Sequence, residues 1–349
     1  MLIGGLRRGG RCMNIALLGG SGVGKTNYIC TLFREIRNLS NRYRTNISYQ
    51  DPDGTVEKYR TINDKLDASY NGGVAPYFCN GTSNSSMLDF NICITNEEEQ
   101  QCIRFLSYDY AGEHTDDIMR EENVKDVLSY CDILFCFLDS IILERAFYNK
   151  NRCEIVSSNL PVYVQKLNEI SCKKKLDEKL HVSLILTKID AVKKISEENL
   201  IDYVRQIWNS ELQSQNCQNV HLLGVYASTI VGNDAVEYTN YQFQIKENII
   251  LNPKNILTPL FDSCTKYVHY CQTRQIDFEK IPHKVMTKIK EAAKVLHQAL
   301  KMLNIPVPEK EFLNSCMTTH LGYKIAKKWQ FYIEFFEDKK VSNIIRLGL

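Results

Sequence analysis

The residues whose types and spacing point most directly to chemistry are Gly19-Gly20-Ser21-Gly22-Val23-Gly24-Lys25-Thr26, which fit the pattern G-x-x-x-x-G-K-[ST]. Glycines let the backbone curl until successive N–H groups point inward. The helix that follows offers its own unpaired N-terminal N–H groups to the same anion. A polyphosphate is the expected occupant, held by Gly20, Ser21, Gly22, Val23, Gly24, Lys25, Thr26 and Asn27. Lys25 supplies a point charge between the outer phosphates, with a catalytic part in stabilising charge, and the Thr26 hydroxyl is a ligand for magnesium. A glycine-rich turn with an incidental lysine is the plain alternative. Against it, an apolar run from Ile15 to Leu18 precedes the loop, and Ile29, Leu32, Phe33 and Ile36 follow at helical spacing.

Further stretches narrow the chemistry. Tyr108-Asp109-Tyr110-Ala111-Gly112-Glu113 follows an apolar run: Asp109 is expected to hold magnesium through water or indirectly through Thr26, and Gly112 to bring its N–H close to a terminal phosphate. Thr187-Lys188-Ile189-Asp190 suits a purine base. A carboxylate at Asp190 can accept from both N1–H and the exocyclic amine of guanine, which adenine does not offer, while the Lys188 stem lies over the ring. In Ala227-Ser228-Thr229 a backbone N–H of Ser228 or Thr229 is expected to meet the guanine carbonyl oxygen. Taken singly, the Asp-x-x-Gly and Lys-x-Asp stretches read as a turn and a solvated pair; their place downstream of a phosphate loop reverses that reading. Thr82, ahead of a strand at a suitable distance, is expected to cap the magnesium and act in catalysis, with Thr55 as the alternative.

These residues need elements to position them. Strands are expected at Asn14 to Leu18, Leu88 to Thr95, Gln101 to Tyr108, Ile133 to Leu138, His181 to Leu186 and Val220 to Tyr226, with the polar run Asn96 to Gln100 making a hairpin of the second and third. Helices are expected after the loop to about Asn38, around Val56 to Leu66, up to about Tyr130, from Ile141 to Leu176 with a break near Asn159 to Pro161, and from Ser196. Strands alternating with helices predict an α/β three-layer sandwich of the P-loop NTPase kind, mostly parallel with one antiparallel hairpin, and each motif sits at a strand's carboxyl end. Beyond Asn252 the periodicity is helical. The expected organisation is a disordered leader over 1–12, with Met13 as a possible true start, a nucleotide-binding domain over 13–262, and a helical C-terminal extension over 263–349.

Composition sets the outer bounds. A charge of +2 from 43 basic and 41 acidic residues gives no field for nucleic acid, and the lysines of 284–301 read as a solvated helix face. The 13 cysteines are scattered without a C-x-x-C pair, as reduced cytosolic thiols would be. No apolar run reaches the length of about 18 residues that spans a bilayer.

The four motifs, in order from about Met13 to Phe261, resemble those of the Ras-like and translation-factor class of P-loop GTPases. Within that class the string Tyr108 to Glu113, the strand ending at Asp139, the Thr-Lys-x-Asp form of the base motif and Asn255-Ile256-Leu257-Thr258-Pro259-Leu260 are similar to the bacterial double-GTPase group. The resemblance implies a cytoplasmic GTPase that takes GTP or GDP with magnesium, works with a protein partner, and belongs to a conflict or defence system. Two positions depart from the usual pattern. Thr187 stands where Asn is common, and Glu113 stands where Gln commonly orients water, which predicts slow or partner-dependent hydrolysis. The alternatives are a guanine-nucleotide-binding scaffold with weak turnover and, further off, an ATP-dependent kinase or ATPase.

Overall fold

Apolar runs bounded by polar turns become the strands of one sheet. The computed structural model describes residues 13–20, 22–43, 47–50, 64, 86–95, 100–109, 128, 131–171, 179–232, 236–239, 242–245 and 252–273. Strands β1 (Met13–Leu18), β2 (Ile47–Gln50), β3 (Ser86–Thr95), β4 (Gln100–Asp109), β5 (Ile133–Asp139), β6 (Leu180–Thr187) and β7 (Val220–Ala227) pair in the order β2-β3-β4-β1-β5-β6-β7. From β4 to β7 every pairing is parallel. On the other side β3 runs antiparallel to β4 and β2 antiparallel to β3, with the joining residues 96–99 outside the described set. A short pair, β8 (Val236–Thr239) with β9 (Gln242–Ile245), stands apart from this sheet.

Helices cover both faces, which is why β5 is apolar along nearly its whole length. They are α1 (Lys25–Tyr43), α2 (Ser140–Asn149), α3 (Arg152–Ser157), α4 (Leu160–Ser171), α5 (Glu197–Ser214) and α6 (Thr258–Thr273). Leu134, Cys136 and Leu138 of β5 share a buried cluster with Leu143 of α2, Leu160, Tyr163, Val164 and Leu167 of α4, and Leu200, Val204 and Trp208 of α5. The alternate residues face the other way: Phe137 meets the Tyr28 ring of α1 edge to face at 5.1 Å, and Ser183 of β6 shares a 2.7 Å hydrogen bond with Ser263 of α6. The result is the expected α/β three-layer arrangement around a mostly parallel sheet.

Local chemistry sets the helix ends. Asp139 caps α2, accepting from Ile141 N–H at 2.9 Å, and Ser196 caps α5 by accepting from Asn199 N–H. The single break expected near Asn159 to Pro161 becomes two, because Lys150 (φ 49°) and Asn159 (φ 64°) both enter the left-handed region and split the stretch into three helices. Helix α1 runs past Asn38 to Tyr43. The leader 1–12, most of the proposed Val56 to Leu66 helix, and the chain after residue 273 lie outside the described residues. The chain divides into one unit of Met1–Cys264 with Lys339–Leu349 and a second of Thr265–Asp338.

Candidate functional site

The carboxyl ends of β1, β4, β5, β6 and β7 share one edge of the sheet, so the loops that leave them converge. Residues 19–24 follow β1, and Lys25 opens α1, 6% exposed. Gly22 and Gly24 hold φ of +69° and +93°, a backbone that a side chain would strain, so these two glycines are required by the curl itself. Gly19 is required for another reason: a Cβ there would meet Val23 Cγ1 at 3.0 Å and Phe137 Cβ at 3.1 Å. Thr26 and Asn27 sit half-buried in the first turn of α1. Ser21 lies outside the described residues.

Two braces hold this loop from below, and neither was foreseen from the sequence. Gly20 N–H donates to the Tyr163 phenol oxygen at 3.2 Å, and that hydroxyl donates to Phe137 C=O at 3.2 Å. Tyr163 is fully buried on α4; burial, with nearby Cys136 adding to it, raises its pKa far beyond the ordinary tyrosine range, so it remains a neutral donor. The second brace is Thr187 at the end of β6. Its hydroxyl reaches Val23 C=O in the loop and lies 3.0 Å from Leu138 C=O, so one proton is shared between two carbonyls. The residue expected to act within the base motif thus ties that motif to the phosphate loop.

Lys188 is forced into the left-handed region at φ 57°, opening the 3-10 turn Ile189–Ala191. Asp190, in that turn, is 4% exposed; Thr229 Oγ1 donates to its Oδ2 at 2.5 Å, and Gly232 N–H donates to Thr229 Oγ1 at 3.0 Å. Burial raises the Asp190 pKa above 3.8, and the bonds from Thr229 and the Val231 N–H partly offset that. The backbone N–H groups of Asp190 and Ala191 also bond this carboxylate, which offsets part of the cost of keeping it dry.

The expected role of Ser228 and Thr229 needs correcting. Ser228 N–H is taken by Leu186 C=O at 2.8 Å, as the β6–β7 ladder continues, and Thr229 N–H by Lys254 C=O at 3.1 Å. Neither amide is therefore available to a guanine carbonyl oxygen. What this turn supplies is the Thr229 hydroxyl on Asp190. Behind it runs the segment 252–257: Lys254 N–H donates to Thr229 C=O, Ser228 Oγ to Asn255 C=O at 2.9 Å, and Tyr28 Oη of α1 to Ile256 C=O at 2.8 Å. That segment joins the base-motif side to the phosphate-loop helix. A core-facing tyrosine needs a partner for its hydroxyl, which is the one sequence signal that could have marked Tyr28 and Tyr163.

Asp109 ends β4. It stands two residues past Ser107, the partner of Leu17, as Gly19 stands two past Leu17, so the strand register brings it level with the start of the loop. Gly112, Glu113, Thr82 and Thr55 lie outside the described residues. Among the described residues no cluster of three or more His, Cys, Asp or Glu could hold a metal, and no helix is long and apolar enough to cross a membrane.

The family model Double-GTPase 2 matches residues 13–227, more than half of the chain. Curated proteins yield no match. Among solved structures, the signal recognition particle receptor SRb-GTP/SRX complex of Chaetomium thermophilum is 13% identical, over 64% of this chain and 92% of that one, with a TM-score of 0.38. The Ski7 GTPase-like domain of S. cerevisiae bound to GTP is 13% identical over 62% and 42%, with a TM-score of 0.35. The elongation factor SelB of Methanococcus maripaludis with a GTP analogue is 14% identical over 63% and 31%, with a TM-score of 0.30.

Proposed function

Because the chain belongs to the Double-GTPase 2 family, we propose that it binds GTP with magnesium, hydrolyses it to GDP and phosphate, and uses the difference between the two states as a switch. The observation that carries this reading is the junction of loop and base motif, where Thr187 bonds Val23 C=O while Asp190 three residues on is buried and held by Thr229. One strand end thereby serves both ends of a nucleotide.

The donor set fits magnesium, a hard cation that prefers oxygen ligands: Thr26 in the first turn of α1 and Asp109 at the end of β4, with Thr82 as the third protein ligand proposed. When bound, the ion would neutralise charge on the outer phosphates. The chain's own residues do the rest. The loop amides and Lys25 orient the phosphates and stabilise charge as the bond to the terminal phosphate breaks; Gly112 senses whether that phosphate is present; and Lys188 and Asp190 select the base. Glu113, an anion where a neutral water-orienting group is usual, favours slow turnover that a protein partner accelerates, or a binding scaffold in the limit. The cell compartment proposed is the cytoplasm, in a bacterial conflict or defence setting.

Direct titration of the full chain with GDP, GTP, ADP and ATP tests the reading. Guanine preference is the expected result, and equal or tighter binding of adenine nucleotides would refute it. Single-turnover hydrolysis, with and without proteins that copurify with the GTP-loaded form, then separates enzyme from scaffold.

A further inference from the structure

The base motif is gripped by a part of the chain that none of the four motifs includes. Lys188 Nζ donates to Asp139 Oδ2 at the end of β5, in a pair whose side chains are 26% and 14% exposed. The other carboxylate oxygen of Asp139 accepts from Ile141 N–H and caps α2. One turn along α2, Glu144 Oε1 accepts from the backbone N–H groups of both Lys193 (3.0 Å) and Lys194 (2.5 Å). One turn further, Tyr148 Oη donates to Lys194 C=O, and the Lys194 ammonium lies 5.9 Å from the centre of the Tyr148 ring. Strand β5 and helix α2 therefore hold the base-binding turn at both of its ends, Lys188 before Asp190 and the 193–194 backbone after it.

Lys188 needs such a hold. Its backbone is left-handed, where a residue with a Cβ is disfavoured, and a lysine stem has many rotamers to lose when it becomes a shelf for a ring. An anchored ammonium fixes the far end of the stem before any base arrives, which removes that ordering cost from binding. Glu144 does the same for the loop that follows Asp190, replacing water on two amides by one charged acceptor.

We infer that Asp139 and Glu144 are positioning residues for base recognition, Asp139 acting through the Lys188 side chain and Glu144 through the backbone of residues 193–194. This rests on the guanine reading of Lys188 and Asp190, and it sets base affinity apart from phosphate affinity. The hydrogen bonds of this grip all run among residues 139–148 and 188–194.

The test uses the full chain and four variants: Asp139→Asn, Glu144→Gln, Lys188→Met and the Asp139→Asn/Lys188→Met double. Asparagine caps helices as well as aspartate, so Asp139→Asn keeps α2 and removes only the charge that holds the ammonium. The probes are GDP, ADP and inorganic pyrophosphate. The expected result is a Kd for GDP raised about tenfold by Asp139→Asn and about threefold by Glu144→Gln, with pyrophosphate affinity within about twofold of the parent. In the Lys188→Met background, Asp139→Asn is expected to add nothing, since its route runs through the ammonium. An unchanged Kd for GDP in both single variants, equal losses for GDP and pyrophosphate, or additive losses in the double variant would each overturn the inference. A parent chain without preference for GDP over ADP would instead overturn the guanine reading, and this inference with it.

Discussion

Replacing Tyr163 by Phe isolates the brace under the phosphate loop. The substitution removes one hydroxyl and leaves a ring of nearly the same shape in a site that is completely buried, so packing changes little. Two contacts go: the bond from Gly20 N–H and the bond to Phe137 C=O, both 3.2 Å. The Phe137 carbonyl lies in a strand with parallel neighbours on both sides and has a second lone pair, so it is the lesser loss. Gly20 N–H, half-buried beside the loop, loses its partner outright, at about 1–2 kcal/mol. The loop is the segment able to relax, so the free protein recovers that energy by loosening residues 19–24, and a ligand must order them again. At about 1.4 kcal/mol per factor of ten, the Kd for GDP rises about five- to thirtyfold. Inorganic pyrophosphate, which meets the same loop, weakens by the same factor, and the ratio of GDP to ADP affinity stays put. Isothermal titration of the three ligands reads all of this in one series. A lowered unfolding temperature with unchanged affinities would refute the argument, since Tyr163 would then only fill the core; so would a changed GDP to ADP ratio.

Three other outcomes are expected. Thr187→Val removes the hydroxyl that ties β6 to Val23 C=O and raises the Kd for GDP about tenfold, while Thr187→Asn, which keeps a donor, loses less; nucleotide titration checks both. Burial raises the Asp190 pKa above 3.8, so the ionised form that the proposed guanine contact requires is lost at a higher pH than for an exposed aspartate: GDP affinity is expected to fall as pH drops through that raised value. By linkage, the same group contributes stability that is fully present below pH 3.8 and is lost as pH rises through the folded value. Asp190→Asn removes this carboxyl titration and moves preference from guanine to xanthine nucleotides, which a pH series of titrations with both bases would show. Trp208→Ala, at a fully buried site of α5 away from the loop, lowers stability by about 3–5 kcal/mol in denaturant unfolding while leaving the GDP to ADP affinity ratio unchanged.

The α/β class and the strands of the middle of the sheet were legible because their signals are local. Ile133 to Leu138 is continuously apolar, and a strand covered by helices on both faces must be. The splitting of the helical stretch after β5 was not legible: Lys150 and Asn159 adopt left-handed backbones, and nothing in the residue type marks which lysine or asparagine will do so. Strands β2, β8 and β9 were missed as well, since four residues carry too little periodicity to stand out.

For the site, the sequence by itself determined the phosphate-loop pattern, because such a loop is one contiguous stretch whose glycines and lysine act through their own backbone and charge. Only the tertiary structure decided what holds those residues. Tyr163 lies 143 positions from Gly20, Thr187 164 from Val23, and Ile256 228 from Tyr28. It also decided which groups are already taken, turning Ser228 and Thr229 from amide donors into a ladder and a clamp on Asp190. A hydrogen bond saturates, and whether a given N–H remains for a ligand depends on which carbonyl the fold brings to it first. No local spacing encodes that, since the carbonyl belongs to the backbone of a distant residue and would be the same for any side chain there.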